Sequence, residues 1–382
     1  MKLAKLVENS MDQLPEKLTW KQIAGEVGVS VSALSKFRRG TELNFPALFT
    51  VARILHPENY HEIIAEWSQH VHGPTNLCFA MEYLSANRLF EAAGEKIRTM
   101  RQQDSSSKLL ADLCDTYALL IERQQIQVGI PTDFIMQVDA LKARTPEGRF
   151  LRQMLSVYYH SDMRHLELMR DCLSVAEEML ENVHSADLRD LYMLRINDMK
   201  AISLLFNFNR PEESRALCEK VIDSDVLDNT IYRAGAYCRM ATSYMFSSYD
   251  MTAMFFRKAI AIYRATGRGK VADAVEANEL EFAAVLWGKV EDPAELKDAS
   301  NRAFYYAKNG LPAEALEVIS MLNPDSPFTR FYKGLAANDP AVLVESLILF
   351  MKGGDAFYAE LPFKALQNLP QFCGVANLLR QK

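Results

Sequence analysis

Three cations, Lys36, Arg38 and Arg39, crowd the end of the stretch LTWKQIAGEVGVSVSALSKFRRG, which runs from Leu18 to Gly40. Cations so placed can neutralise phosphates or donate paired hydrogen bonds to guanine edges. Ser30, Ser32, Ala33 and Ser35 stand just before or among them, small enough to let a helix come close to base edges. Lys21 and Gln22, at the start of the preceding helix, are further candidates for phosphate contact.

The elements that would carry these side chains are legible in the same stretch. Thr19 followed three residues later by Gln22 is a capping-box pattern, which satisfies backbone N–H groups at a helix start. Ile23, Ala24 and Val27 form an apolar stripe, and Gly28 falls where the chain must turn in a left-handed conformation. Ser30 is placed to cap a second helix, with Val31, Leu34 and Phe37 as its expected buried face and Gly40 as its end. This spacing predicts a helix-turn-helix, and the string A-x-x-x-G-V-S…L-S-x-x-x-R-G resembles the phage-repressor-like class. The alternative is a helical hairpin used only for packing, its cations complementing a helix dipole in solvent.

Other chemistry finds little support. His160 and His165 are five apart, off the i, i+4 register favoured for zinc, and His70 and His72 have no cysteine nearby. GRGK at 267–270 lacks the spacing and terminal Ser/Thr of a phosphate loop, and no G-x-S-x-G elbow occurs. Carboxylate pairs such as Glu177–Glu178 are usual on solvated helix faces. No catalytic residues, no metal ligands and no cofactor are expected, and the chain is not read as an enzyme. The six cysteines are scattered without a C-x-x-C pair, which fits free thiols in a reducing compartment. The opening MKLAKLVENSMDQL has no signal-peptide core, and no run approaches the roughly 18 apolar residues of a membrane span. A cytosolic location with no membrane partner is expected.

The charge is uneven. Residues 1–56 hold eight Lys/Arg against five Asp/Glu, a net of +3, leaving 35 against 44, a net of −9, for the rest of the 382 residues. A basic head on an acidic body implies different partners for each. The head is placed at 1–68, where Leu3, Leu6 and Val7, FPALFTVARIL and YHEIIAEW supply the remaining helices. A hinge is placed at 69–76, around the Gly-Pro step.

Beyond it the apolar period stays helical, so the fold class is all-α. Helices come in pairs that turn at Asn87, NFNRP, SSYD, NGLP and ANDP, recurring at tetratricopeptide-like spacing of roughly 35–45 residues, with an irregular stretch at 105–185. Residues 77–370 are therefore expected to form a tetratricopeptide-like α-solenoid whose inner groove takes an extended peptide. A solenoid serving only to dimerise is the alternative. A dimer contact is expected within 340–382, through Phe350, Phe357, Leu361, Phe363, Leu366 and Leu369.

A helix-turn-helix on such a body resembles the peptide-sensing regulators of Gram-positive bacteria and their phages. More narrowly, the body resembles the arbitrium peptide receptors, which govern the lysis–lysogeny choice of Bacillus phages. The strings that carry this are MEYLSANRLFEA (81–92), TPEGRFLRQMLSVY (145–158), LRINDMKAISLLFNFN (194–209), TSYMFSSY (242–249) and YKGLAANDPAVLVESLILFMKGGDAFYAELPFKAL (332–366). The resemblance implies a homodimer in the host bacterial cytoplasm that binds double-stranded promoter DNA and activates a pro-lytic gene. It further implies a short signalling peptide, about six residues long, that occupies the groove and switches activation off to favour lysogeny. Matched onto this chain, it implies peptide contacts from Arg195, Asn197, Ser203 and Arg233, with Asp355 facing a basic peptide side chain. Tyr237, Tyr244 and Asn278 are added as groove-lining candidates. The alternative is a tetratricopeptide regulator that acts on a cytosolic protein partner rather than on DNA.

Overall fold

The computed structural model describes residues 2–14, 18–102, 107–125, 130–224 and 226–369, and within these the chain is helical with no strand. It packs as two compact units. The first holds α1 (Lys2–Asp12), α2 (Trp20–Val27), α3 (Val31–Arg38), α4 (Phe45–Leu55), α5 (Tyr60–Ser68) and α6 (Pro74–Ala86). It continues with α7 (Phe90–Gln102), α8 (Lys108–Gln125), α9 (Phe134–Ala140), α10 (Pro146–Asp162), most of α11 (Leu166–Leu180) and α12 (Ala186–Ile202) as far as Ile196. The short segment 226–229 also belongs to it.

The helix-turn-helix forms for the local reasons its sequence suggests. Thr19 Oγ1 accepts from the Gln22 N–H at 3.3 Å while the Gln22 side chain accepts from the Thr19 N–H at 2.8 Å. Gly28 takes φ 74° and closes α2 onto the Ala24 carbonyl. An L side chain there would cost about 1–2 kcal/mol. Ser30 caps α3 through the Ala33 N–H at 3.1 Å. Ile23, Ala24, Leu34 and Phe37 are buried, but Val31 is 53% exposed. The expected buried face of α3 is thus corrected: Val31 opens the helix, one turn before its apolar side meets α2.

Residues 69–76 do not behave as a free hinge. Glu42 accepts from the His72 and Gly73 N–H groups at 2.6 and 2.8 Å and from the Asn76 amide at 3.0 Å. Asn76 in turn bonds the Leu43 carbonyl and the Phe45 N–H. The fully buried Lys96 donates to the Val71 carbonyl at 2.7 Å, and burial lowers its ammonium to about 8. Phe45 and Phe49 of α4 pack their rings on Phe79 and Tyr83 of α6. Gly73 precedes a helix that Pro74 begins, and head and first body helices share one core. The body expected as one run over 77–370 divides instead within α12.

The second unit takes up α12 at Asn197 and adds a π-helical turn (Ser203–Asn207), α13 (Pro211–Ile222), α14 (Thr230–Ser243) and α15 (Tyr249–Ala265). Then come α16 (Gly269–Val275), a second π-helical turn (Glu276–Leu280), α17 (Glu281–Leu286), α18 (Ala299–Lys308) and α19 (Pro312–Ile319). It ends with α20 (Pro327–Ala337), α21 (Pro340–Lys352) and α22 (Glu360–Gln367), and also includes the turn 164–167. Successive helices pair as α13/α14, α14/α15, α18/α19 and α20/α21. The expected turns fall between helices: Asn209, Gly310 and Asn338 adopt positive φ, and Ser248 caps α15. The stretch 105–185, irregular in sequence, is helical as well.

Stacked aromatics form the core of this unit. Phe282, Phe304 and Tyr332 follow one another with ring centroids 5.2 Å apart at each step. Phe350, Phe357, Leu361, Phe363 and Leu366 belong to the same core, each below 5% exposure, and Leu369 packs against it. The expectation that these side chains make a dimer contact is corrected, because the amphipathic helices bury them within their own chain. Residues beyond 369, including Cys373 and the end of the 340–382 segment, lie outside the described residues. The five described cysteines are free thiols.

Candidate functional site

On the helix-turn-helix, Lys21, Gln22, Ser30, Ser32, Ser35, Lys36, Arg38 and Arg39 are exposed and Ala33 is half-buried. Gln22 and Ser30 use their side-chain oxygens for capping. Arg38 is oriented from two sides: its Nε donates to Glu8 at 2.9 Å, and its guanidinium lies 5.6 Å from the Trp20 ring centroid. Arg39 Nε reaches back to the Ser35 carbonyl at 3.3 Å. Lys36, Ser32, Ser35 and Val31 therefore present free ends from α3 while Arg38 is held in a set direction. Glu8 and Val31 were not legible as parts of this face, since one comes from a remote helix and the other reads as core.

The body candidates separate into groups. Arg195 lies in the first unit with a side chain only 2% exposed. Its Nε and Nη2 donate to both oxygens of Glu82 at 2.7 and 3.0 Å, and its Nη1 donates to the Tyr158 hydroxyl at 2.9 Å. Tyr117 donates a further hydrogen bond to Glu82. A buried carboxylate needs this much compensation, so Arg195 serves as an internal counter-charge rather than a groove-lining cation. Its partner, 113 residues away, gives no local signal.

The other candidates lie in the second unit. Arg233 is half-buried, its Nε donating to the Ile222 carbonyl at the end of α13 at 3.1 Å. Tyr237 and Tyr244 both stack on Phe255 of α15, and Arg215 covers Tyr244 at 4.3 Å. These rings take part in helix packing. Asn197 is half-buried on α12. Its neighbour Asp198 pairs with Arg239 of α14, a residue the sequence did not single out.

Ser203, Asn278 and Asp355 lie on three segments that meet through their neighbours. Ser203 and Asn278 sit in the two π-helical turns, where the N–H of Phe208 or Glu281 reaches the carbonyl five residues back. Such turns free carbonyls from the α ladder and are frequent at functional sites. Here the Phe206 carbonyl accepts from the Ala356 and Phe357 N–H groups at 2.8 and 3.2 Å, and Asn207 donates to the Gly354 carbonyl at 2.8 Å. Gly354 is held at φ 69°, where a Cβ would lie 2.5 Å from Leu166. The first π turn thus moors the loop that carries Asp355.

The second π turn reaches the same loop through Glu279. Tyr358 donates its hydroxyl to Glu279 at 3.3 Å and its N–H to Asp355 at 3.0 Å. Burial raises both carboxyls above their ordinary values, and the charge of Asp355 raises Glu279 further. The hydrogen bonds from Tyr358, and for Asp355 the charge of Arg164, partly offset this. Among the described residues no cation forms a salt bridge with either. Two partly buried acids on one loop and one π turn favour a cation between them. Asn278, exposed beside Glu279, adds amide hydrogen-bonding capacity.

Among the described residues no cluster of His, Cys, Asp and Glu suits a metal ion, and no helix is long and apolar enough to cross a membrane. Comparisons with known proteins add the lineage. Residues 62–368 match the family described as AimR transcriptional regulator-like. The AimR transcriptional regulator of Bacillus phage phi3T is 20% identical over 349 residues, covering 88% of this chain and 89% of that protein. An uncharacterised Bacillus anthracis protein is 24% identical over 234 residues, 59% of this chain and 86% of that one. Among solved structures, selenomethionine phAimR aligns with a TM-score of 0.72 at 19% identity, covering 99% of both chains. A phAimR–ligand structure aligns at 0.70 and 18% identity, covering 86% of this chain and 98% of that one. The all-helical fold is the one those structures share, and the chain belongs to the AimR transcriptional regulator-like family, which is not a family of enzymes.

Proposed function

We propose that this regulator binds promoter DNA as a homodimer through α3 and activates a pro-lytic gene. A short peptide bound in the second unit switches this off and favours lysogeny. The observation that carries the peptide reading is the pair Asp355 and Glu279, gathered by two π turns and lacking a salt-bridge partner among the described residues. A peptide bearing a basic side chain supplies that partner, with Asn278 and Ser203 as candidate partners for its amides and Asn197 on the neighbouring helix. The contact set thus moves from Arg195 toward Glu279 and Tyr358.

For DNA, the supporting feature is the built helix-turn-helix. Lys36, Arg38 and Arg39 would serve phosphates or guanine edges, with Ser32 and Ser35 near the bases, Val31 against a thymine methyl, and Lys21 and Gln22 on the backbone. A dimer would set two α3 helices about 34 Å apart, or a multiple of it. Within 340–382, Ile348 and Met351 are the exposed apolar side chains of α21 that such a contact would use. To move a population between binding and non-binding forms, the peptide needs roughly 5 kcal/mol of differential affinity. Two or three charge-assisted hydrogen bonds of about 1.5–3 kcal/mol each are of that size.

The test is capture of host and phage genomic fragments by the pure protein, with and without a synthetic pool of arginine-containing hexapeptides. Enrichment of a defined locus that the peptides abolish is the expected result. Lys36→Ala with Arg39→Ala should end the enrichment and flatten the salt dependence by about one unit of slope per lost phosphate contact. Enrichment of no locus sinks the DNA reading, and retention of a protein partner instead would favour the interaction-regulator alternative.

A further inference from the structure

The segment 226–229 packs with the first unit, yet the helices that precede and follow it in sequence, α13 and α14, belong to the second. Asp228 is the centre of its attachment. Tyr60 donates its hydroxyl to Asp228 Oδ2 at 2.5 Å, and His61 Nε2 lies 3.3 Å from the same oxygen. Both residues open α5 of the helix-turn-helix head, and their rings stack at 4.4 Å. The Tyr83 hydroxyl meets His61 Nδ1 at 2.7 Å, and Asn87 donates to the Asp228 carbonyl at 3.3 Å. Phe49 of α4 packs on Tyr60 and Tyr83. The segment thus joins α5 to α6, and α5 packs on α4, α6 and α7.

Two observations mark this as a tensioned attachment rather than an ordinary loop. Leu227, beside Asp228, holds φ 49°, a left-handed conformation that a bulky side chain adopts only under constraint. The flanks are also tied together, since Arg233 of α14 donates to the last carbonyl of α13. On α14 as well, Arg239 pairs with Asp198 of α12. Asp228 stands just before α14, which begins at Thr230.

We propose that residues 226–229 form a strap, latched by Asp228 on Tyr60 and His61, through which ligand occupancy of the second unit sets the position of α5. Its regulatory part rests on the peptide-switch reading above, while the latch itself can be tested without it. Ligand-driven movement of α14 unlatches Asp228, relaxes Leu227 and frees α5, and with it the helix-turn-helix.

The experiment compares full-length wild type with Tyr60→Phe and Asp228→Ala. Hydrogen exchange at residues 226–229 should quicken by about tenfold in both, the factor for losing one hydrogen bond to a charged group. α18 should stay unchanged as a fold control. Unchanged protection of 226–229 in both overturns the latch. In fragment capture, both variants should bind the arginine-containing hexapeptide pool as wild type does, but should enrich the locus without peptide no better than wild type does with it. A wild-type response in both overturns the regulatory role. If the pool does not bind wild type, the peptide reading falls instead, and the exchange result alone decides the latch.

Discussion

Glu82 in the first unit is fully buried and has Arg195 on both its oxygens, whereas Glu279 and Asp355 in the second are partly buried and share only a tyrosine. The first acid is compensated by Arg195 and Tyr117 from the same unit, and Tyr158 in turn accepts from Arg195. The second pair is left with raised carboxyls and a moored loop around them. The difference separates charge that the fold pairs with its own cation from charge that, among the described residues, it leaves without a salt bridge. Burial alone does not make the distinction; the source of the compensating cation does.

The contrast is most easily broken at Arg195. Replacing it by Ala strands a buried carboxylate and should cost about 3–5 kcal/mol in denaturant-induced unfolding. A loss below about 1 kcal/mol would mean that Glu82 finds another partner and that the pair is not structural. By contrast, Glu279→Gln and Asp355→Asn should leave unfolding free energy unchanged or slightly raised. Each should weaken binding of an arginine-containing peptide about 10- to 100-fold by calorimetry, as expected for one charge-assisted hydrogen bond. Equal affinity in both variants would remove the acids from the ligand site.

The same asymmetry should appear in pH dependence. Glu279 and Asp355 have folded values above their unfolded ones, so their contribution to stability is present at acid pH and is lost as pH rises through the raised values. Ligand affinity should run the other way, falling as pH drops through that window and the carboxyls gain protons. A pH-independent affinity from about pH 7 down to 4 would contradict the cationic assignment. The smallest effect belongs to Gly28→Ala, where the open surroundings leave only the left-handed backbone as a cost, about 1 kcal/mol by thermal unfolding. Peptide affinity should be untouched.

How far the sequence discloses the molecule depends on the range of its interactions. Thr19 with Gln22, Gly28 and Ser30 act within four residues, and each takes the role its spacing implies. Helix pairing and the turns at Asn209, Gly310 and Asn338 were equally local. The misreadings came from partners distant in the chain. The family resemblance makes Arg195 a peptide contact, and only the fold shows Glu82, on α6, paired with it. The apolar run from Phe350 to Leu366 reads as an interface because periodicity cannot say which neighbour covers a stripe. Asp355 stands out in GGDAF, but Glu279 does not, because a π turn has no period of its own and sets the phase that brings Glu279 to Tyr358.

That phase carries a consequence for chain length. Each π turn accommodates one residue more than an α-helix would over the same rise, so a one-residue deletion within Ser203–Asn207 would restore ordinary winding. The carbonyls that the π turn frees would return to the α ladder, and the Phe206 carbonyl would leave Ala356. A single-residue gap at this point would thus release the loop that carries Asp355 without any substitution in the loop itself.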